Sequence, residues 1–113
     1  MNKDALVNLF HILIVGGLFL YVGIKREKIY KPIFSVLLFL GFIIIIYHLY
    51  KIYVYLKVGK GMWANLIHVF IVGPLLIFIG YYGVETSRKY FELLLMLGFA
   101  AIGYHLYYLF QQP

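Results

Sequence analysis

The chain contains no cysteine, which excludes disulfides, thiolate metal ligands and cysteine nucleophiles. Aliphatic hydroxyls are nearly missing as well: Ser35, Thr86 and Ser87 are all there are. All three lie toward the charged loops and away from the histidines, so no Ser–His couple for nucleophilic chemistry can be assembled. Carboxylates are scarce, four against ten lysines and arginines, and none stands in the middle of an apolar run. Neither a glycine-rich phosphate loop nor a His-Glu-x-x-His helix occurs. Hydrolytic chemistry therefore has little to work with, and the sequence leans away from an enzyme without deciding the matter. Its net charge of +6 is confined to loops and ends, with no basic stripe carrying base-stacking aromatics. That pattern predicts anionic lipid headgroups as partners and no nucleic acid.

What the sequence does have is apolar length. Of its 113 residues 65% are hydrophobic, and its mean hydropathy is +0.94, far above that of a soluble globular domain. Four uncharged stretches, Ala5–Ile24, Ile33–Tyr50, Gly61–Val84 and Leu93–Phe110, each approach the ~20 residues needed to cross a ~30 Å hydrocarbon core. They predict an all-α, multi-pass integral membrane protein with four transmembrane helices in a single membrane domain. The first stretch is too long for a signal-peptide core and has no small-x-small cleavage site before Lys25-Arg26-Glu27-Lys28, so it is read as a helix. Pro32 marks a helix start, and Ser87 is placed to cap the last helix.

The chain also reads as written twice. A 57-position shift superimposes Asn8-Leu9-Phe10-His11 on Asn65-Leu66-Ile67-His68, Leu40-Gly41-Phe42 on Leu97-Gly98-Phe99, and Tyr47-His48-Leu49-Tyr50 on Tyr104-His105-Leu106-Tyr107. Full-length self-similarity in one register predicts a duplication, with repeat one at 1–56 and repeat two at 58–113. Each copy holds two spans, so both copies enter the membrane the same way. The expected build is two parallel helical-hairpin repeats about a pseudo-two-fold axis along the membrane normal, with short loops at Lys25–Lys31 and Gly83–Lys89 joining antiparallel neighbours. Six basic residues lie on the loop side and four on the other. The positive-inside rule then leaves both termini and the histidines non-cytoplasmic.

The histidines carry the functional question. By span direction, His11, His48, His68 and His105 fall in one layer near one membrane face. Chain order round a bundle would set His11 opposite His68 and His48 opposite His105. Asn8 and Asn65 stand three residues before His11 and His68, on nearly the same helix face, and Tyr47 and Tyr104 adjoin the other two. Gly41 and Gly98, seven residues before His48 and His105, provide either close helix packing or room for a flat ligand. Pro74 predicts a kink in the third span.

Three readings follow. Neutral imidazoles on facing helices suit a metal centre, either haem b held by two histidines or a zinc or copper ion, with Asn8, Asn65, Tyr47 and Tyr104 as supporting hydrogen-bond partners. The same residues serve equally as interhelical glue in a scaffold that binds no cofactor. A proton or ion path through an oligomer is the third. The Tyr-, Ile- and Lys-rich run Tyr47-His48-Leu49-Tyr50-Lys51-Ile52-Tyr53-Val54-Tyr55 resembles small membrane proteins encoded by large DNA viruses. That resemblance implies a viral envelope or host-membrane setting and a structural role.

Overall fold

A computed structural model describes residues 2–111. Four helices dominate it: α1 (Lys3–Lys28), α2 (Pro32–Val58), α3 (Trp63–Glu85) and α4 (Arg88–Phe110), all long and apolar enough to cross a membrane. They are consistent with a multi-pass membrane protein.

The helix ends follow local chemistry. Asn2 caps α1, its side-chain oxygen accepting the Ala5 N–H at 2.8 Å, as an N-cap does. Pro32 opens α2, where its missing N–H is no loss. Gly59 closes α2 in the left-handed conformation at φ 72°, with its own N–H and that of Lys60 both returned to the Tyr55 carbonyl, a glycine C-cap. Ser87 occupies the N-cap position of α4 with extended backbone, but its side chain makes no capping bond.

Neither α1 nor α3 is a plain α-helix. Each contains one π-helical segment, His11–Val15 in α1 and His68–Val72 in α3, closed by the N–H of Gly16 or Gly73 donating to the carbonyl of His11 or His68. The physical effect is on facing. Asn8 and Gly16 are both buried, as are Asn65 and Gly73, yet eight residues of regular α-helix leave two side chains about 80° apart. The extra residue absorbed by an i→i+5 turn sets the helix back by about 100°, which returns both members of each pair to one face. Pro74 lies two residues beyond the second π segment, but Gly17 holds the corresponding place in α1. Proline is therefore not what creates the feature.

The structure divides into two compact units: residues up to Ile29 together with those from Ser87 onward, and Tyr30–Thr86. In the first unit α1 packs on α4, and in the second α2 packs on α3. Each unit thus takes one helix from each half of the chain.

The two interiors match at a constant separation of 57 positions. Phe19, Val22, Phe91 and Leu94 are buried in the first, and Leu76, Ile79, Phe34 and Leu37 in the second. Glycine sets the helix approach in both. A Cβ on Gly23 would lie 2.7–2.9 Å from Leu95, and one on Gly80 would lie 2.5 Å from the Leu38 nitrogen and 2.7 Å from the Phe34 oxygen. Small residues of this kind let helix backbones approach closely, so that packing itself supplies attraction. Large apolar side chains such as Phe39, Ile46, Phe70, Met96 and Phe99 stay exposed.

One position is strained. Arg26 sits at φ 56°, ψ −126°, while Gly83, its counterpart 57 residues on, has φ 55°, ψ −127°. Glycine adopts this conformation freely, and a side-chain-bearing residue there costs of order 1–3 kcal/mol. Replacing Arg26 with glycine is expected to stabilise the protein by about 1 kcal/mol, read as a raised unfolding midpoint in detergent. An unchanged or lowered midpoint would count against the strain.

Candidate functional site

The four histidines meet in two pairs. In the first unit the rings of His11 and His105 stack, centroids 4.2 Å apart and planes 21° from parallel. In the second His48 and His68 stack at 4.1 Å and 19°. These contacts join His11 to His105 and His48 to His68, each pair within one unit.

Hydrogen bonds fix each ring. His105 Nδ1 donates to Asn8 Oδ1 at 2.8 Å, and His48 Nδ1 donates to Asn65 Oδ1 at 2.7 Å. Both bonds cross from one helix to its partner. The other two rings bond back along their own helices: His11 Nδ1 donates to the Val7 carbonyl at 2.8 Å and His68 Nδ1 to the Ala64 carbonyl at 2.6 Å. Since a carbonyl oxygen can only accept, these rings carry hydrogen on Nδ1. Within each unit both δ-nitrogens are thus aimed at one short stretch of one helix, Val7–Asn8 or Ala64–Asn65.

Asn8 and Asn65 are both 7% exposed, and an amide buried to that degree requires a partner. The π turns hold these asparagines on the packed face together with Gly16 and Gly73 below them. Tyr47 and Tyr104 meet the His48 and His105 rings edge-on, at 5.1 Å and 5.0 Å. Gly41 and Gly98 lie in close helix contact. A Cβ on Gly41 would fall 2.7 Å from Ile77 Cγ1 and 2.8 Å from the Gly73 oxygen, and one on Gly98 would fall 3.1 Å from Phe19 Cβ. The space beside these glycines is filled by the neighbouring helix. Pro74 is exposed and lines a shallow lateral groove with Ile45, Ile77 and Tyr81.

Among the described residues, no group of three or more histidine or carboxylate side chains is placed to hold a metal ion. The four imidazoles are accordingly not gathered round one ion. Sequence reasoning singled out the histidines and asparagines, but it gave no sign of the π segments or of which histidine each asparagine meets across the helix pair. Comparison with protein families, with characterised proteins and with solved structures finds no match for this chain.

Proposed function

We propose that the protein is a membrane scaffold without a resident cofactor, whose helix pairs are each locked near one end by a His–His–Asn clamp. The observation that supports it is the cross-helix bond from a histidine to a buried asparagine, present in both units with the two histidines stacked. Such a cluster gives lipid-immersed helices what they otherwise lack, a directional contact that fixes rotation and register. Recurrence of the same contacts 57 residues apart supports the duplication read from the sequence. A structural role in a viral envelope, which the sequence resemblance implies, is one setting for such a scaffold.

Ring geometry favours the clamp over a metal centre. Axial histidines on one haem stand on opposite sides of the iron, with ring centroids roughly 6 Å apart for metal–nitrogen bonds of about 2.0 Å. Each observed pair is in face contact instead. Nitrogen lone pairs lie in the ring planes, so two stacked, near-parallel rings cannot both aim one at a shared zinc or copper ion unless a ring turns. A second reading rests on one observation: hydrogen on Nδ1 makes Nε2 the ligand-capable nitrogen of a neutral ring, which is the tautomer a metal site uses.

Elemental analysis and an absorbance spectrum of the purified protein separate the two. The scaffold reading expects no stoichiometric metal, no Soret band and an unfolding midpoint indifferent to chelators. A bound metal or haem lost in His48→Ala or His105→Ala would overturn it in favour of the metal centre. Proton flux into liposomes that disappears when all four histidines are replaced would transfer it to a proton path.

A further inference from the structure

The two units differ in how their helices are held together. In Tyr30–Thr86 the pair α2 and α3 is joined directly, by residues 59–62. In the other unit nothing covalent joins α1 to α4, because they are the first and last helices and the chain between them is the whole of Tyr30–Thr86. Contact alone holds this pair. The contacts are the His11–His105 stack, the bond from His105 to Asn8, and the close approaches of Gly16 to Ile102 and of Gly23 to Leu95. Each needs one α1 and one α4, and none needs both to come from the same molecule.

The side chains do not tie α4 to its own α1 either. Leu95, Ile102 and His105 repeat what α2 presents to α3 with Leu38, Ile45 and His48, so α4 fits any face built from an asparagine, a histidine and two glycines at this spacing. In each copy the α3 face is already covered by α2. That leaves α1, from either copy.

We propose that two copies of the chain assemble by exchanging their end helices, α1 of one on α4 of the other and the reverse, with Tyr30–Thr86 of each copy unchanged. The exchange is reciprocal, so the dimer closes with no α1 or α4 lacking a partner. Only the connectors at 29–31 and 86–87 change course, and no helix is broken. The surface that recognises the second copy is thus the α1–α4 interior itself, and the proposal stands whether or not the histidines hold a cofactor.

A chain free of cysteine is a ready background for cross-linking. A Cβ on Gly16 would lie 2.5 Å from Ile102 Cγ1, so Gly16→Cys and Ile102→Cys in one chain bring two thiols within disulfide reach. After oxidation in isolated membranes, a bond inside one molecule runs as a monomer on a denaturing, non-reducing gel. An exchanged pair runs as a covalent dimer. Gly73 meets Ile45 as Gly16 meets Ile102, which makes Gly73→Cys with Ile45→Cys the control. Its clamp spans 17 positions against 97, and the higher effective concentration should make its dimer fraction roughly tenfold lower. Two differently tagged copies of the unaltered chain, made in one cell, should also co-purify in mild detergent. A disulfide between positions 16 and 102 found only in monomers would overturn the proposal, and so would failure of that bond to form at all. Equal dimer fractions for the two cysteine pairs would overturn it as well, because they would assign the dimer to random collision or to exchange of whole chain halves. Tagged copies that never co-purify would have the same force.

Discussion

Replacing Gly80 with leucine is expected to abolish the packing of α2 against α3, and replacing Gly23 with leucine should do the same to α1 and α4. The cause is where the new atoms must go. Even the first added carbon on Gly80 would lie 2.5 Å from the Leu38 backbone nitrogen and 2.7 Å from the Phe34 oxygen. Backbone atoms cannot swing aside as the tip of a side chain can, so the helices must separate. Alanine alone should cost about 1–3 kcal/mol, the usual range for overpacking, and leucine considerably more. Gly17 and Gly103 are the internal controls, because a Cβ at either meets nothing within 4 Å. Alanine at these positions should leave stability unchanged or raise it by up to about 1 kcal/mol, since glycine is a poor helix former. Reversible unfolding in mixed detergent, followed by circular dichroism, measures all of these. An unaltered midpoint for Gly80→Leu would show that the helices do not approach as described.

The second large effect belongs to the clamp, and its diagnostic is a cycle rather than a single variant. Asn65→Leu removes the acceptor for His48 Nδ1–H while keeping similar volume, and it leaves a polar group facing an apolar neighbour. The expected cost is about 1–2 kcal/mol, at the upper end for interhelical hydrogen bonds in membranes. His48→Phe alone preserves a ring to stack on His68 but strands the Asn65 amide, with a cost of similar size. The double variant Asn65→Leu/His48→Phe strands neither group, so it should recover a substantial part of the loss. Strictly additive losses would mean that the bond does not couple the two helices. The corresponding pair in the other unit, Asn8 and His105, should behave alike.

Much of this architecture was legible in the sequence because the responsible residues are of rare types in a greasy chain. Lack of charge over four long runs located α1 to α4 within a few residues, with α2 the exception. It runs past Tyr50 through Lys51 and Lys57 to Val58, since a lysine ends an uncharged run without ending a helix. Asn8, Asn65 and the four histidines stood out because polar groups at such positions need partners. What escaped was geometry that two or more helices decide together. The short loop Lys25–Lys31 favours α1 and α2 as neighbours in a packed hairpin. The glycines at 23, 41, 80 and 98 and their contacts join α1 to α4 and α2 to α3, which no loop length announces, and the histidine pairing follows them. The π segments were invisible to any regular period. Their trace was the eight-residue spacing from Asn8 to Gly16 and from Asn65 to Gly73, which fits one face only if the helix is locally widened.

The pairing of helices has a consequence for the order of events during synthesis. The His48–Asn65 bond spans 17 positions, whereas the His105–Asn8 bond spans 97. Bringing the more distant ends together costs about 1.5 kcal/mol more in chain entropy, and it must wait until the last helix has left the ribosome. Two clamps of like chemistry therefore close at different times: the α2–α3 clamp as a local event once α3 is made, the α1–α4 clamp only after α4 has followed. Until then α1, made before the other three helices, keeps its asparagine waiting for a histidine that has yet to be translated.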